Sequence, residues 1–190
     1  MVQQQFRPAL KEDCATIAAL YRISSDGVAD YIWTKIAESE EDILTVGRRR
    51  YEREDSIFSY QNCTVVEEEG KIIGMLVAFP MHVDLSVKES DPVLVPYSKL
   101  EEDNSYYICG MALLPEHRSR GIGTRLLALA EEDAQDKGFS KISLIVFEQN
   151  TGAKQLYDRL GYREAKREPV YPHPLIHYKG DAILMVKKVV

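Results

Sequence analysis

The spacing of apolar positions along the chain changes repeatedly, and each change marks an element. Residues near Gln3 to Arg7 suggest a short first strand. Beyond Pro8, the residues Leu10, Cys14, Ile17, Ala18 and Tyr21 recur on one helical face, and Ser24-Ser25-Asp26-Gly27 breaks the pattern. A second helix is predicted from Glu40 to Asp55 through Ile43, Val46 and Tyr51. Two strands follow, Tyr60 to Glu67 and Lys71 to His82, joined as an antiparallel hairpin by Glu69-Gly70, whose glycine permits a positive φ. The polar stretch Asp84 to Asn104 carries Pro92 and Pro96 and ends in Glu101-Glu102-Asp103, which reads as a long exposed excursion.

Tyr107 to Leu114 is almost wholly apolar, as in a strand buried on both faces. A basic, glycine-bearing turn leads into a helix carrying Leu126, Leu127, Ala130 and Ala134 that runs to Lys137, with Gly138 suited to its C-terminal cap. Lys141 to Phe147 is another apolar strand, able to lie parallel to the previous one because a helix supplies the crossover. Asn150 offers a cap for a short helix that Gly161 ends. Tyr162 to Arg167 and Ala182 to Val189 are two more strands, separated by the Pro-containing Glu168 to Gly180. The order predicts an α/β domain spanning residues 1–190, with a mixed sheet of about seven strands flanked by about four helices.

Composition narrows the class. Apolar residues make up 45% and charged residues 28% of the 190, an ordinary globular balance. No apolar run reaches the roughly 18 to 20 residues of a membrane helix, and Met1 to Arg7 lacks a basic region followed by an apolar core, so the expected location is the cytoplasm. A formal net charge of -6 disfavours a general nucleic-acid binder and better suits a cationic substrate. Arg48-Arg49-Arg50 reads as a solvated face. Cys14, Cys63 and Cys109 are widely spaced, as expected of buried free thiols.

The candidate chemistry centres on Pro115-Glu116-His117-Arg118-Ser119-Arg120-Gly121-Ile122-Gly123-Thr124-Arg125. A strand, a glycine turn and a helix start form an anion site, because backbone N–H groups can close on a ligand's oxygens where the helix end adds partial positive charge. A Walker-type loop would need Lys directly after its last glycine, but Thr124 follows Gly123. A dinucleotide-binding turn would need a small residue where Leu126 stands.

Arg118-Ser119-Arg120-Gly121-Ile122-Gly123 resembles the R/Q-x-x-G-x-G/A signature of the GNAT superfamily of acetyl-CoA-dependent N-acetyltransferases. Asn150, Ala153, Tyr157, Gly161 and Tyr162 resemble the family's second region. The resemblance implies a GNAT-like fold with splayed parallel central strands and acetyl-CoA as cosubstrate, without a metal. It implies that the amides of Ser119, Arg120, Gly121, Ile122, Gly123 and Thr124 hold the CoA pyrophosphate, with Arg118 opening the loop. Backbone groups of Met111 and Leu113 would bond the pantetheine arm, and the Met111 amide would face the thioester carbonyl and its developing oxyanion. At about 100° per residue, Asn150, Ala153 and Tyr157 share a helix face. By resemblance Asn150 contacts pantetheine and Tyr157 protonates the departing thiolate, a role open to a phenol with an ordinary pKa of about 10.

The general base is less defined. Some family members, including histone-acetylating ones, carry a glutamate where this chain has Tyr107, leaving Glu102 or Asp103 acting through water, or His82, as candidates. Acceptor specificity in the family comes from the segment joining the first two helices and from the last strand-to-strand loop. Here these are Ser24 to Thr34, with Asp26, Asp30, Tyr31 and Trp33, and Glu168 to Asp181, with Tyr171, His173, His177 and Tyr178. Aromatic and acidic groups there suit a small cationic amine or serve as loop packing. Pro172 and Pro174 oppose a helix that would pair His173 with His177 on zinc. The expected function is acetyl transfer to a primary amine of a small molecule, without nucleic acid or membrane as partner; a homodimer is compatible with it. A non-catalytic acyl-CoA sensor and an acetyltransferase acting on protein N-termini or lysines are the alternatives.

Overall fold

The computed structural model describes residues 4–189, so Gln3, the expected start of the first strand, lies outside the described residues, as do Met1 and Val2. Seven strands form a mixed sheet in the order β1-β2-β3-β4-β5-β7-β6, and six α-helices accompany them among the described residues. The chain divides into two compact units. The first takes in residues up to Ala78 together with Gly110–Leu126, and the second takes in Phe79–Cys109 and the chain from Leu127 onward.

In the first unit, β1 (Gln4–Pro8) pairs antiparallel with β2 (Cys63–Glu68), and β2 with β3 (Lys71–Met81), across an irregularity at Val66/Glu67. The hairpin between β2 and β3 turns at Glu69 and Gly70, with φ of 52° and 74°, as two-residue hairpin loops favour. Tyr60–Asn62 is a 3-10 turn capped by the Ser59 side chain, which is why β2 starts later than its apolar pattern suggests. Helices α1 (Cys14–Ser24) and α2 (Val28–Ile36) both pack against α3 (Ile43–Tyr51).

Helix α2 corrects the reading of Ser24 to Thr34 as a joining segment. The break at Ser24 to Gly27 is only a hinge, with Gly27 at φ 99°, after which Ala29 and Trp33 bury one helical face. Trp33, 1% exposed, lies so close to α3 that a Cβ on Gly47 would meet its ring at 2.5 Å. The Asp42 carboxylate caps α3 by accepting from the amides of Leu44 and Thr45, each at 3.1 Å. In the basic run on α3, Arg48 pairs with Glu52 (2.7 Å) and Arg49 with Glu41 (2.8 Å), while Arg50 lies 4.0 Å over the Phe58 ring.

In the second unit, β4 (Ser105–Leu113, through Cys109) pairs in parallel with β5 (Lys141–Phe147), from Tyr106↔Ile142 to Ile108↔Leu144. On its other edge β5 pairs antiparallel with β7 (Asp181–Lys188), which also pairs with β6 (Arg163–Pro169). Helix α5 (Ile122–Asp136) buries Leu127, Ala130 and Ala134 in this unit and ends before Gly138, at φ 79°. Helix α6 (Thr151–Arg159) ends before Gly161, at φ 94°. The stretch Asp84 to Asn104 is not wholly an exposed excursion: the one-turn helix α4 (Val95–Ser98) lies within it, and Val93, Pro96 and Leu100 are buried. Leu85 and Val87 remain exposed.

Candidate active site

The turn after β4 has the backbone that an anion requires. Pro115–His117 forms a 3-10 turn, Ser119 and Gly121 adopt positive φ of 59° and 80°, and the Gly121 carbonyl accepts the first helical bond of α5 from Arg125 N–H at 3.1 Å. Gly121 therefore stands at the N-cap with no side-chain oxygen to offer. Among the described residues no side chain caps the amides of Ile122, Gly123 or Thr124. Such alternating backbone beside an uncapped helix start concentrates N–H groups on one concave surface. A Cβ at Gly121 would meet nothing within 4 Å, so the glycine is needed for its φ and not for want of space.

The two loop arginines differ. Arg118 is exposed, and its Nε donates to the Leu113 carbonyl at 3.2 Å, tying the loop to the end of β4. Arg120 is clamped by Glu68 on β2, at 3.2 Å from Nη1 and 2.7 Å from Nη2. Sequence reasoning gave no sign of Glu68, which lies 52 positions away. Hydrogen bonds from Arg120 and Gln4 hold the Glu68 carboxyl below its ordinary range. His117 Nδ1 lies 2.8 Å from Arg120 Nη1 and 3.2 Å from Glu68 Oε2. It cannot accept from the arginine and donate to the carboxylate at once.

On β4, the Leu114 amide donates to Ile73 O on β3 at 2.9 Å. Backbone groups alternate sides along a strand, so the amides of Met111 and Leu113 point to the edge of β4 away from β3. That is the orientation expected of backbone that receives an extended ligand. Both residues are half-buried.

These residues, with Arg118 to Thr124, belong to the first unit; Asn150, Ala153 and Tyr157 belong to the second. Asn150 caps α6, its Oδ1 accepting from Ala153 N–H at 3.3 Å, which leaves its amide N–H groups for another partner. Tyr157 is 8% exposed with its ring 5.8 Å from that of Tyr162, and burial pushes its phenol up to about 12.

The base candidates separate clearly. Glu102 pairs with Lys141 at 2.5 Å, and Asp103 accepts from Val83 N–H at 2.9 Å, which holds it below the ordinary carboxylate range. His82 is exposed, 6.2 Å from the Phe139 ring. Tyr107 lies edge-on to Phe79 at 5.7 Å, and burial raises its phenol well above the ordinary value. Glu101, which sequence reasoning passed over, is raised first by desolvation and then by Glu89.

Of the expected acceptor residues, Trp33 is core, Asp30 is held by Arg22 at 2.6 and 3.0 Å, and Lys35 lies 5.0 Å over the Tyr31 ring. Asp26 sits in the turn before α2 at φ 48°. In the β6–β7 connection Tyr178 stacks on Phe147 at 4.6 Å, His173 Nδ1 accepts from Leu175 N–H at 3.2 Å, and Tyr171 and His177 are exposed. Among the described residues no group of three or more His, Cys, Asp or Glu is disposed to hold a metal ion, and no helix is long and apolar enough to cross a membrane. Among the described residues Cys14 and Cys63 are buried and in no disulfide, the Cys63 thiol donating to the Ser59 carbonyl at 3.4 Å, whereas Cys109 is half-buried.

A strand, an uncapped glycine turn and a long helix, followed by a second strand and a capped short helix, define a class that the family model confirms. Residues 30–162 match the acetyltransferase (GNAT) family, and the chain belongs to that family. Among individual proteins, an uncharacterised N-acetyltransferase of Bacillus subtilis (strain 168), YhfO, is 27% identical over 100 residues. The match takes in 53% of this chain and 57% of that protein, so it spans little more than half of the curated relative. A crystal structure described as an acetyltransferase shares 21% identity and a TM-score of 0.67, covering 98% of this chain and 100% of that one. The structure of YncA from Salmonella typhimurium with its cofactor acetyl-CoA shares 18% identity and a TM-score of 0.65, over 98% and 94%. At these identities the structural likeness establishes the fold.

Proposed function

We propose that the protein is an acyl-CoA-dependent N-acetyltransferase carrying the acetyl group of acetyl-CoA to a primary amine of a small molecule. The observation that carries the reading is the turn from Arg118 to Gly121, where positive φ at Ser119 and Gly121 leads into an uncapped helix. Its amides, from Ser119 to Thr124, bind the pyrophosphate, and the outward backbone groups of Met111 and Leu113 bond the pantetheine arm. Asn150 adds an amide donor from the start of α6, beside Ala153.

In the reaction a neutral amine attacks the thioester carbonyl, the C–N bond forms, and the C–S bond breaks. The Met111 amide donates to the oxygen on which charge builds. The Tyr157 O–H faces the charge building on sulfur, and its burial keeps it protonated at neutral pH. The acidic chain favours cationic acceptors, with net charge -6. The reading takes residues 1–190 as one cytoplasmic catalytic domain and admits a homodimer.

The test is thiol release from acetyl-CoA across polyamines, amino acids, aminoglycosides and N-terminal peptides. Turnover on a small amine is expected. Turnover confined to peptides would reassign the acceptor to protein. Acetyl-CoA binding without turnover on any amine would make the chain a sensor.

A further inference from the structure

We propose that His117 is a positioning residue of the anion-binding turn: its protonation draws Glu68 away from Arg120 and frees that guanidinium to meet the phosphates of the acyl donor. The proposal deepens the acetyl-transfer reading above and rests on the part of it that seats a pyrophosphate at this turn.

Three groups meet in a triangle at the turn, all of them within the first unit. Arg120 Nη1 lies 2.8 Å from His117 Nδ1 and 3.2 Å from Glu68 Oε2, and His117 Nδ1 lies 3.2 Å from the same Oε2. The other carboxylate oxygen, Oε1, accepts from Arg120 Nη2 at 2.7 Å and from Gln4 Nε2 at 3.1 Å. Gln4 comes from β1 and Glu68 from the end of β2, while His117 and Arg120 belong to the turn itself. Among the described residues the charged groups facing the imidazole are therefore Glu68 from β2 and Arg120 from the turn, and β1 contributes the uncharged Gln4.

The triangle holds one arrangement of protons at a time. A guanidinium nitrogen only donates, so the 2.8 Å contact requires Nδ1 to accept, which leaves the imidazole neutral with its proton on Nε2. In that state Arg120 bridges His117 and Glu68, and its charge is answered within the protein. A second proton makes Nδ1 a donor. Two donors on two cations then face each other at hydrogen-bond distance, a contact that neither can keep, whereas Nδ1–H has Oε2 as an acceptor 3.2 Å away. Arg120 is the member able to leave, because its side chain is 39% exposed, against 18% for His117 and 10% for Glu68. It directly precedes Gly121, whose positive φ shapes the concave amide surface, so a guanidinium released from Glu68 stays beside the anion.

A histidine side chain changes charge between about pH 5 and 8, so the exchange falls where cells operate. The protonated triangle presents more positive charge to a phosphate, so affinity for the donor rises as pH falls. Coupling of this kind is reciprocal: an anion on the turn strengthens the hold of His117 on its proton, and binding takes up a fraction of a proton from solution.

The test uses the full chain and 3′-dephospho-CoA, whose pyrophosphate keeps its charge across this range, whereas the monoester phosphate of CoA itself titrates near pH 6. Calorimetry in two buffers of different ionisation enthalpy reads both the affinity and the protons taken up. Wild type should bind about two- to fivefold more tightly at about pH 5.5 than at about pH 8, the range of a partly exposed ion pair, with proton uptake between them. His117→Gln keeps an acceptor for Arg120 but cannot ionise, so it should lose both the rise and the uptake. Glu68→Gln leaves Arg120 unclamped at every pH, so at about pH 8 it should bind as tightly as wild type does at about pH 5.5. A wild type that binds equally at both, a rise and uptake that survive in His117→Gln, or a Glu68→Gln that binds no more tightly than wild type at about pH 8, overturns the positioning role and leaves the pyrophosphate reading intact. Absence of wild-type binding at either pH overturns the pyrophosphate reading, and this proposal with it.

Discussion

Replacing Tyr157 by Phe removes one oxygen and keeps the ring that lies 5.8 Å from Tyr162, so the fold of α6 should survive. Burial has pushed this phenol up to about 12. A free thiol titrates near 8.5, leaving a gap of about 3.5 units, and at about 1.36 kcal/mol each, complete transfer to a formed thiolate lies about 5 kcal/mol uphill. In the proposed reaction the O–H therefore serves best by holding a hydrogen bond on sulfur while charge builds. A hydrogen bond to a charged group contributes about 1.5–3 kcal/mol, so Tyr157→Phe should lower kcat by about 10- to 150-fold. The assay is thiol release at saturating acetyl-CoA and amine, with single-turnover kinetics confirming that chemistry is rate-limiting. A loss near 10⁴-fold would mean that the proton is fully transferred and that burial does not oppose it. A loss below about threefold under chemical limitation would remove the O–H from the reaction, since even a weak charged hydrogen bond exceeds that.

Two further comparisons use paired variants. Gly47→Ala should gain about 1 kcal/mol in helix propensity but lose about 1–3 kcal/mol in overpacking, because the ring of Trp33 is only 2.5 Å from the new Cβ. Gly152→Ala in α6 meets nothing within 4 Å and should stabilise by about 0.5–1 kcal/mol. Thermal unfolding should show a lower Tm for the first and a higher Tm for the second, and the same sign for both would refute the packing account. In the loop, Arg118→Ala should weaken acetyl-CoA binding by about 10- to 150-fold, since among the described residues this guanidinium has only the Leu113 carbonyl as partner. Arg120→Ala should cost less, because Glu68 already engages that side chain. Calorimetric affinities in the reverse order would contradict that division of labour.

Elements encoded by local spacing were legible from the chain alone. Glu69-Gly70 marked the β2–β3 hairpin, Asn150 the start of α6, Gly161 its end, and the run from Pro115 to Gly123 the turn into α5. Helix α2 was obscured because Ser24 to Gly27 carries strong turn chemistry, although Ala29 and Trp33 already had the spacing of a buried helix face. The excursion before β4 looked polar because its buried members, Val93, Pro96 and Leu100, are interleaved with charged residues. Side-chain commitments between distant positions were not legible at all. Nothing in local spacing tells that Arg120 would meet Glu68, that Asp30 would be taken by Arg22, or that Glu101 would differ from Glu102 and Asp103.

The Arg120–Glu68 clamp bears on how the turn can tell one anion from another. One of its two arginines has its charge cancelled by its own protein, so the turn presents more directed amide dipoles than net positive charge. Dissolved ions screen a net charge readily, but they do little to fixed dipoles in contact with a ligand. On the proposed reading, recognition at this turn therefore depends on the shape of the anion more than on its total charge. A bridged diphosphate would be distinguished from simple inorganic anions by fit, even in the salt of a crowded cell.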